Sequence, residues 1–195
     1  MILPVVAFGD PVLRKVGKGI TKDYPNLKEL IENMRETMEN AQGVGLAAPQ
    51  IGKSIRLFII DASPFSKDED LDEKERDFLA NFNKVFINAK ITNEEGDEWV
   101  FNEGCLSIPD IREDVFRKER ITIEYLDQNF EKHTEVIDGI AARIVQHEYD
   151  HIEGVLFTDK ISSLKKRLIK KKLENISKGK VNPDYRMKFP LLKRR

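Results

Sequence analysis

His147-Glu148-Tyr149-Asp150-His151 is the stretch that decides both the fold and the chemistry of this chain. Apolar Ile140 and Ile144 precede this H-E-x-x-H motif on one helical face, so the spacing predicts a buried helix. Because residues i and i+4 project from the same side of a helix, the two imidazoles can hold one metal ion while Glu148 reaches its bound water. The alternative, two ordinary histidines and a solvated glutamate, is disfavoured because the motif uses two of only three histidines.

A third metal ligand must come from elsewhere, because catalytic zinc-type sites generally use three protein ligands and leave one position open. The metzincin pattern fails, since Phe157 stands where its last histidine is required. The only downstream glutamate beyond Gly154 is Glu174, which lies among lysines. The remaining candidate is the single cysteine, Cys105. A lone cysteine is more often a small buried apolar residue than a metal ligand, but in a chain that also carries H-E-x-x-H the metal-ligand interpretation is favoured. The missing downstream ligand disfavours a zinc peptidase, and the open shell disfavours a non-catalytic module with a structural metal.

Three motifs together resemble the signatures of the peptide deformylase family. They are Gly43-Val44-Gly45-Leu46-Ala47-Ala48-Pro49-Gln50, Glu103-Gly104-Cys105-Leu106-Ser107 and His147-Glu148-Tyr149-Asp150-His151-Ile152-Glu153-Gly154, in the family's order. Residues from 1 to about 165 look collinear with the bacterial-type enzyme. The resemblance implies a hydrolase that removes the N-formyl group from the N-terminal formylmethionine of newly synthesised polypeptides and releases formate.

The resemblance also implies how the site works. Cys105, His147 and His151 hold one divalent metal ion, a metal-bound water is the nucleophile, and Glu148 is the general base and acid. The donor set binds Zn²⁺, Ni²⁺, Co²⁺ or Fe²⁺, and the resemblance implies Fe²⁺ in vivo with the others as substitutes.

Two groups are implied as donors to the developing oxyanion: the side-chain amide of Gln50 and the backbone N–H of Leu106. The alternative for Gln50, held about equal on the residues alone, is an amide that caps its own loop. Gly45 lets the backbone approach a peptide substrate, which could bind as an added strand; the alternative is a plain turn former.

The methionine side chain should occupy an apolar pocket. Candidates are Val44, Ile140 and Ile144, for which ordinary core packing is an equal alternative. Arg112, seven residues after Cys105, is a candidate contact for the substrate backbone or a plain surface arginine.

Patterns around the motifs predict an α+β fold, with mostly antiparallel sheets around the central buried H-E-x-x-H helix and with a C-terminal helix. Residues 1–164 are expected to form a single catalytic domain with an acidic surface insertion at about 62–83, and residues 165–195 a basic helix and tail. The predicted elements are a helix between Pro25 and Gly43, strands at 55–61, 84–91, 99–101 and 120–126, the motif helix opened by Asp138 or Gly139, and a helix at 162–176.

The composition sets the cellular context. One cysteine in 195 residues excludes a disulfide scaffold, and no apolar run is long enough to cross a membrane. We therefore expect a cytoplasmic protein that binds neither membrane nor DNA.

The net charge of −1 conceals an uneven distribution. Residues 165–195 hold thirteen Lys and Arg against two acids, so an acidic body is joined to a basic tail. The tail is a candidate for docking on ribosomal RNA, since the implied substrate is a nascent chain. The alternative, held equal, is a solvated charge run.

Overall fold

The computed structural model describes residues 1–192; the last three basic residues of the tail, 193–195, lie outside the described residues. Within residues 1–192 the chain forms seven strands and four α-helices. The strands are β1 (Val5–Val6), β2 (Gly45–Ala47), β3 (Leu57–Asp61), β4 (Asn83–Cys105), β5 (Ile108–Leu126), β6 (Lys132–Asp138) and β7 (Met187–Lys188). The helices are α1 (Leu27–Asn40), α2 (Glu73–Ala80), α3 (Gly139–Ile152) and α4 (Ser163–Ser177). No helix in this part of the chain is long and apolar enough to cross a membrane.

The main sheet runs in the order β2-β3-β4-β5-β6, and each neighbouring pair is antiparallel, as the sequence predicts. β4 differs from the prediction, because it is one continuous strand where the sequence predicts two at 84–91 and 99–101. Residues 92–98 between them are exposed. This part of the hairpin projects beyond the core, so its side chains lose the apolar signal while backbone pairing with β5 continues.

α3 is the buried centre of the molecule and begins at Gly139, as predicted. It packs against β2, β3 and β5, and its apolar residues Ile144, Val145 and Ile152 share a core cluster with Phe58 of β3. A helix buried on most of its circumference normally lacks charge. α3 instead buries Arg143, Glu148 and His151. Arg143 pairs with the buried Glu103, whereas Glu148 and His151 each keep one buried polar atom without a hydrogen-bond partner among the described residues.

α1 and α4 pack on other parts of the sheet: α1 contacts β2 and β3, and α4 contacts β5. α1 buries Met34 and Met38, as its apolar stripe predicts. α4 begins after Ser162, whose side chain accepts a hydrogen bond from the Lys165 N–H as an N-cap, and it buries little beyond Ile169 and Ile176. Those two isoleucines join a cluster that includes Ile108, so the basic helix packs on the same body as the motifs.

The acidic segment 62–83 is only partly the surface insertion that the sequence predicts. Most of its charged residues lie in an exposed turn and in α2. Leu79 and Phe82, however, are buried in the same cluster as α3, with at most 1% of their surface exposed. These apolar residues attach the segment to the core, and the dense charge that precedes them at 67–77 hides this signal in the sequence.

Candidate metal centre

The three predicted metal ligands converge at one point. Cys105 ends β4, while His147 and His151 lie one turn apart on α3. One ligand atom from each of the three lies within 4.8 Å of the others, and Cys105 Sγ is 3.2 Å from His151 Nε2. A thiolate and two imidazoles at this separation match the donor set of a site for a divalent transition metal.

Glu103 orients one of these ligands. Its Oε2 lies 2.9 Å from His147 Nδ1, so Nδ1 donates to the carboxylate and Nε2 is left available to bind a metal ion. Burial alone would raise the pKa of Glu103, but hydrogen bonds from Arg117 and His147 hold that pKa far below its ordinary value. The carboxylate is therefore charged throughout the neutral range.

Two buried arginines neutralise Glu103. Arg117 donates to both carboxylate oxygens, at 2.7 and 2.9 Å, and a third N–H reaches Asp150 at 2.6 Å. Arg143 donates to Glu103 Oε1 at 3.0 Å and to the Val115 carbonyl at 3.1 Å. Both guanidinium groups are almost inaccessible to water. A buried network of ion pairs therefore joins α3, which carries the two histidines, to β4, which carries Cys105.

Glu148 lies beside this network without belonging to it. Its side chain is buried and its Oε2 has no hydrogen-bond partner among the described residues. Burial raises the pKa of Glu148 to about 7, with a smaller opposing effect from His147. A carboxyl group in this setting can exchange protons near neutral pH, which is what a general base and acid requires.

Gly45 allows that carboxylate to occupy its position. A Cβ at residue 45 would lie 2.5 Å from Glu148 Oε1, so any larger residue would displace the carboxylate. Here glycine is required for close approach rather than for a turn, since Gly45 lies inside β2 and pairs with Ile60.

Gln50 caps its own loop and also points its amide nitrogen toward the candidate ligands. Its Oε1 accepts a hydrogen bond from the Ala47 N–H at 2.8 Å and so caps its own loop. The same bond turns Nε2 toward the ligand cluster, where it lies 3.5 Å from Cys105 Sγ. Capping therefore fixes the direction in which the amide N–H groups point.

A cavity of about 390 Å³ opens beside the ligands. Its lining includes the predicted Val44, Gly45, Gln50, Leu106, Arg112, Ile144 and Glu148. Arg112 lies at the rim, where it donates to the Asn102 side-chain oxygen at 2.9 Å. Phe65 and Phe101 add aromatic surface to the same wall, with ring centroids 6.2 Å apart.

Ile140 is the one predicted pocket residue outside this cavity. It lines a different cavity, together with Leu71 and Trp99. Residue 140 does share a helical face with His147, but seven residues of α-helix separate them by about 10 Å along the axis. Angular position alone therefore gave a wrong expectation for Ile140, while Ile144 is close enough to reach the cavity.

The sequence of the chain matches the family model described as "Polypeptide deformylase" over residues 2–167. A peptide deformylase from Flavobacterium johnsoniae is 68% identical over 194 residues, which cover 100% of this chain and 99% of that protein. The chain belongs to the polypeptide deformylase family. A peptide deformylase from Cytophaga hutchinsonii is also similar, with 53% identity over 99% of this chain and all of that protein.

Solved deformylase structures share the fold. The crystal structure of peptide deformylase from Thermotoga maritima has a TM-score of 0.72 and 41% identity, covering 83% of this chain and 99% of that one. The Legionella pneumophila peptide deformylase gives 0.77 and 35%, covering 92% and 98%. The predictions of the family, of an α+β fold and of a metal-dependent peptide deformylase are confirmed.

Sequence reasoning missed the residues that support the ligands. Arg143 was detectable in principle, because it is a charged residue four positions before His147 in an otherwise apolar stretch of α3. Glu103 is the first residue of the motif that contains Cys105, but the sequence of that motif does not indicate its role. Arg117 and Phe65 left no local signal, since each reaches the site only through the packing of a distant segment.

Proposed function

We propose that this chain hydrolyses the formamide bond of N-terminal formylmethionine on new polypeptides, with the residue roles set out below. The observation that carries the proposal is the convergence of Cys105, His147 and His151 beside a buried glutamate, at the end of a mainly apolar cavity. A ligand cluster, a base and a pocket are the three parts that such a hydrolysis needs.

Glu148 is proposed to move the proton. Its carboxylate takes a proton from the attacking water and returns it to the nitrogen of the leaving amine, so the C–N bond breaks to give formate and a free N-terminus. The absence of a hydrogen-bond partner for Oε2 among the described residues supports this role, because an oxygen engaged elsewhere would have to be released first.

Gln50 and Leu106 are proposed to stabilise the oxyanion that develops on the formyl oxygen. The Gln50 amide is held by its cap to Ala47, so it needs no reorganisation during the reaction. The Leu106 N–H follows Cys105 directly in the chain and its residue lines the cavity. One such donor typically contributes about 2.7–4 kcal/mol to lowering the barrier.

The methionine side chain is proposed to enter the cavity between Val44 and Ile144, against Phe65 and Phe101. An unbranched thioether fills such an apolar space well and contacts aromatic rings favourably. The substrate backbone would then lie along Gly45, where the missing side chain allows strand-like pairing, and reach Arg112 at the rim.

The ion held by Cys105, His147 and His151 is proposed to be Fe²⁺ in vivo, with Zn²⁺, Ni²⁺ or Co²⁺ as substitutes. When bound, a divalent ion supplies Lewis acidity that polarises the formyl carbonyl and favours deprotonation of water. The mixed sulfur and nitrogen donors suit all four metals, so availability decides which one occupies the site.

The test is formate release from formyl-Met-Ala by protein prepared without oxygen, with its metal content measured in the same sample. We expect formate from the formylated peptide, none from acetyl-Met-Ala as the control, and iron as the main metal. Faster cleavage of an internal peptide bond than of the formyl group would contradict the proposal.

Substitution of a ligand tests the metal assignment separately. Cys105→Ser replaces a thiolate with a poor ligand, so the variant should lose most of its bound metal. The matched control is Ser107→Ala, two residues away in the same turn, which should keep its metal. Equal metal content in Cys105→Ser and the unaltered chain would remove Cys105 from the site.

We further propose that the enzyme works in the cytoplasm and docks on the ribosome through its basic tail. Three consecutive lysines of α4, Lys170, Lys171 and Lys172, are exposed, as are the apolar Leu164 and Leu168. A basic face of this kind binds the phosphates of RNA by releasing counterions, with an affinity that falls as salt rises. A lone reduced thiol as ligand supports a reducing compartment.

A further inference from the structure

The last part of the described chain returns to the catalytic site. Residues 178–192, which we term the C-terminal extension, follow α4 and lie outside the family model, which ends at residue 167. Gly179 adopts a left-handed conformation (φ 68°) that reverses the chain, and β7 then pairs in parallel with β1. The extension therefore lies against the N-terminal segment rather than projecting into solvent.

The extension bonds to the turn that carries a metal ligand. The Tyr185 hydroxyl donates to the Leu106 carbonyl at 2.8 Å. The Phe8 N–H, next to the strand that pairs with β7, donates to the Ser107 carbonyl at 2.8 Å. Both carbonyls that follow Cys105 are thus held by segments from the two ends of the chain.

This turn needs such support for a physical reason. Leu106 and Ser107 form a two-residue connection, since Cys105 pairs with Ile108 across it. Two-residue hairpins favour turns with positive φ, which Gly and Asn adopt readily. Neither Leu106 nor Ser107 has a positive φ, and the pairing register slips between Gly104 and Cys105. The turn therefore departs from the conformation that a hairpin stabilises by itself.

We propose that Tyr185 is a positioning residue for deformylation, holding the Leu106–Ser107 turn so that the Leu106 N–H points at the formyl oxygen. The inference rests on the proposed function and extends it to a part of the chain beyond the family model. Tyr185 touches neither substrate nor metal in this role; it acts through the Leu106 carbonyl. Apolar packing supports the arrangement, because Met187 and Phe189 of the extension share a cluster with Cys105.

The test compares two substitutions that each remove one partly buried hydroxyl hydrogen bond. Tyr185→Phe removes the bond to the turn, whereas Tyr125→Phe removes a bond to Glu135 at 2.6 Å, on β5 and β6. We expect Tyr185→Phe to lower kcat about three- to tenfold with KM within about twofold, because a misdirected oxyanion donor affects the transition state more than substrate binding. Tyr125→Phe should keep both constants.

Hydrogen exchange gives a readout that does not depend on activity. Amide hydrogens of residues 105–108 should exchange about tenfold faster in Tyr185→Phe and at the original rate in Tyr125→Phe. Unchanged exchange at the turn, or a kcat within twofold of the unaltered enzyme, would overturn the inference. If the unaltered chain releases no formate, the proposed function fails, and so does the positioning role of Tyr185 in deformylation. The hydrogen-exchange rates then decide by themselves whether Tyr185 holds the turn.

Discussion

α3 and α4 are helices of nearly equal length, 14 and 15 residues, but their charged residues lie in different environments. α3 buries an arginine and a glutamate among its apolar residues and adds two histidines that meet Cys105. α4 carries more charge, but its lysines and its arginine face outward and only three of its residues are buried.

The difference teaches that burial, and not the number of charges, determines what a charged residue does. On α3, Glu103 fixes the positions of Arg143 and His147, and burial rather than a partner raises the pKa of Glu148. On α4 most charges are exposed and contribute little to stability, which leaves them available to a partner, whereas Lys165 pairs with Glu113 at 2.8 Å. Charged residues therefore suit the proposed catalysis on α3 and the proposed binding to a partner on α4.

The largest expected effect is on the buried network. Glu103→Gln removes the negative charge between Arg117 and Arg143, which leaves Arg143 without a carboxylate partner and Arg117 with Asp150 alone. We expect the free energy of unfolding to fall by about 3–5 kcal/mol, measured by urea titration. The matched control is Glu174→Gln on α4, which should cost less than about 0.5 kcal/mol. A similar fall in the free energy of unfolding in both variants would contradict the distinction between buried and solvated charges.

The next effect is on the rate of deformylation. Glu148→Gln keeps the size of the side chain but cannot accept the proton, so kcat should fall by at least about 10² while the metal content stays the same. Glu174→Gln should keep its full rate. Normal turnover in Glu148→Gln would refute the role assigned to this residue.

A smaller effect is expected at Gly45. The added Cβ of Gly45→Ala would meet Glu148 Oε1 at 2.5 Å, and the carboxylate can move aside more cheaply than the backbone can. We expect kcat to fall about tenfold with little change in melting temperature. Gly19→Ala, where a Cβ would lie 3.4 Å from Asn88 Oδ1, provides the control and should retain its activity. Equal rates for both variants would show that the carboxylate tolerates displacement.

The smallest catalytic effect is expected on α4. Replacing Lys170, Lys171 and Lys172 by glutamate should leave kcat/KM for a short formylated peptide within about twofold, because screened surface charges lie outside the site. Co-sedimentation with ribosomes should fall, together with its dependence on salt. These substitutions are preferable to deleting the tail, which would also remove Tyr185 and its contact with Leu106.

The control for α4 has the same change in charge on another surface. Glutamate at Lys15, Lys18 and Lys22, all exposed, tests whether the net charge alone governs association. Co-sedimentation should persist in this variant. If ribosome association is the same in both triple variants and in the unaltered chain, the docking proposal is wrong.

The sequence by itself determined the parts of the site that depend on local geometry. The grouping of His147 and His151 on one face follows from the pitch of a helix, and α3 begins at Gly139, one of the two residues, Asp138 and Gly139, expected to open it. The sole cysteine provided the candidate for the third ligand by its chemistry, and the structure places it beside the two histidines. These inferences hold because each needs only the conformation of a few consecutive residues.

The tertiary structure decided everything that depends on residues far apart in the chain. Glu103 orients His147 across 44 positions, and Tyr185 reaches Leu106 across 79. Phe65 joins the cavity from a segment that looks like a solvated insertion, while Ile140 lies too far along its helix to enter. The physical reason is that periodicity reports only near neighbours, whereas these contacts are set by strand register and by how helix and sheet pack.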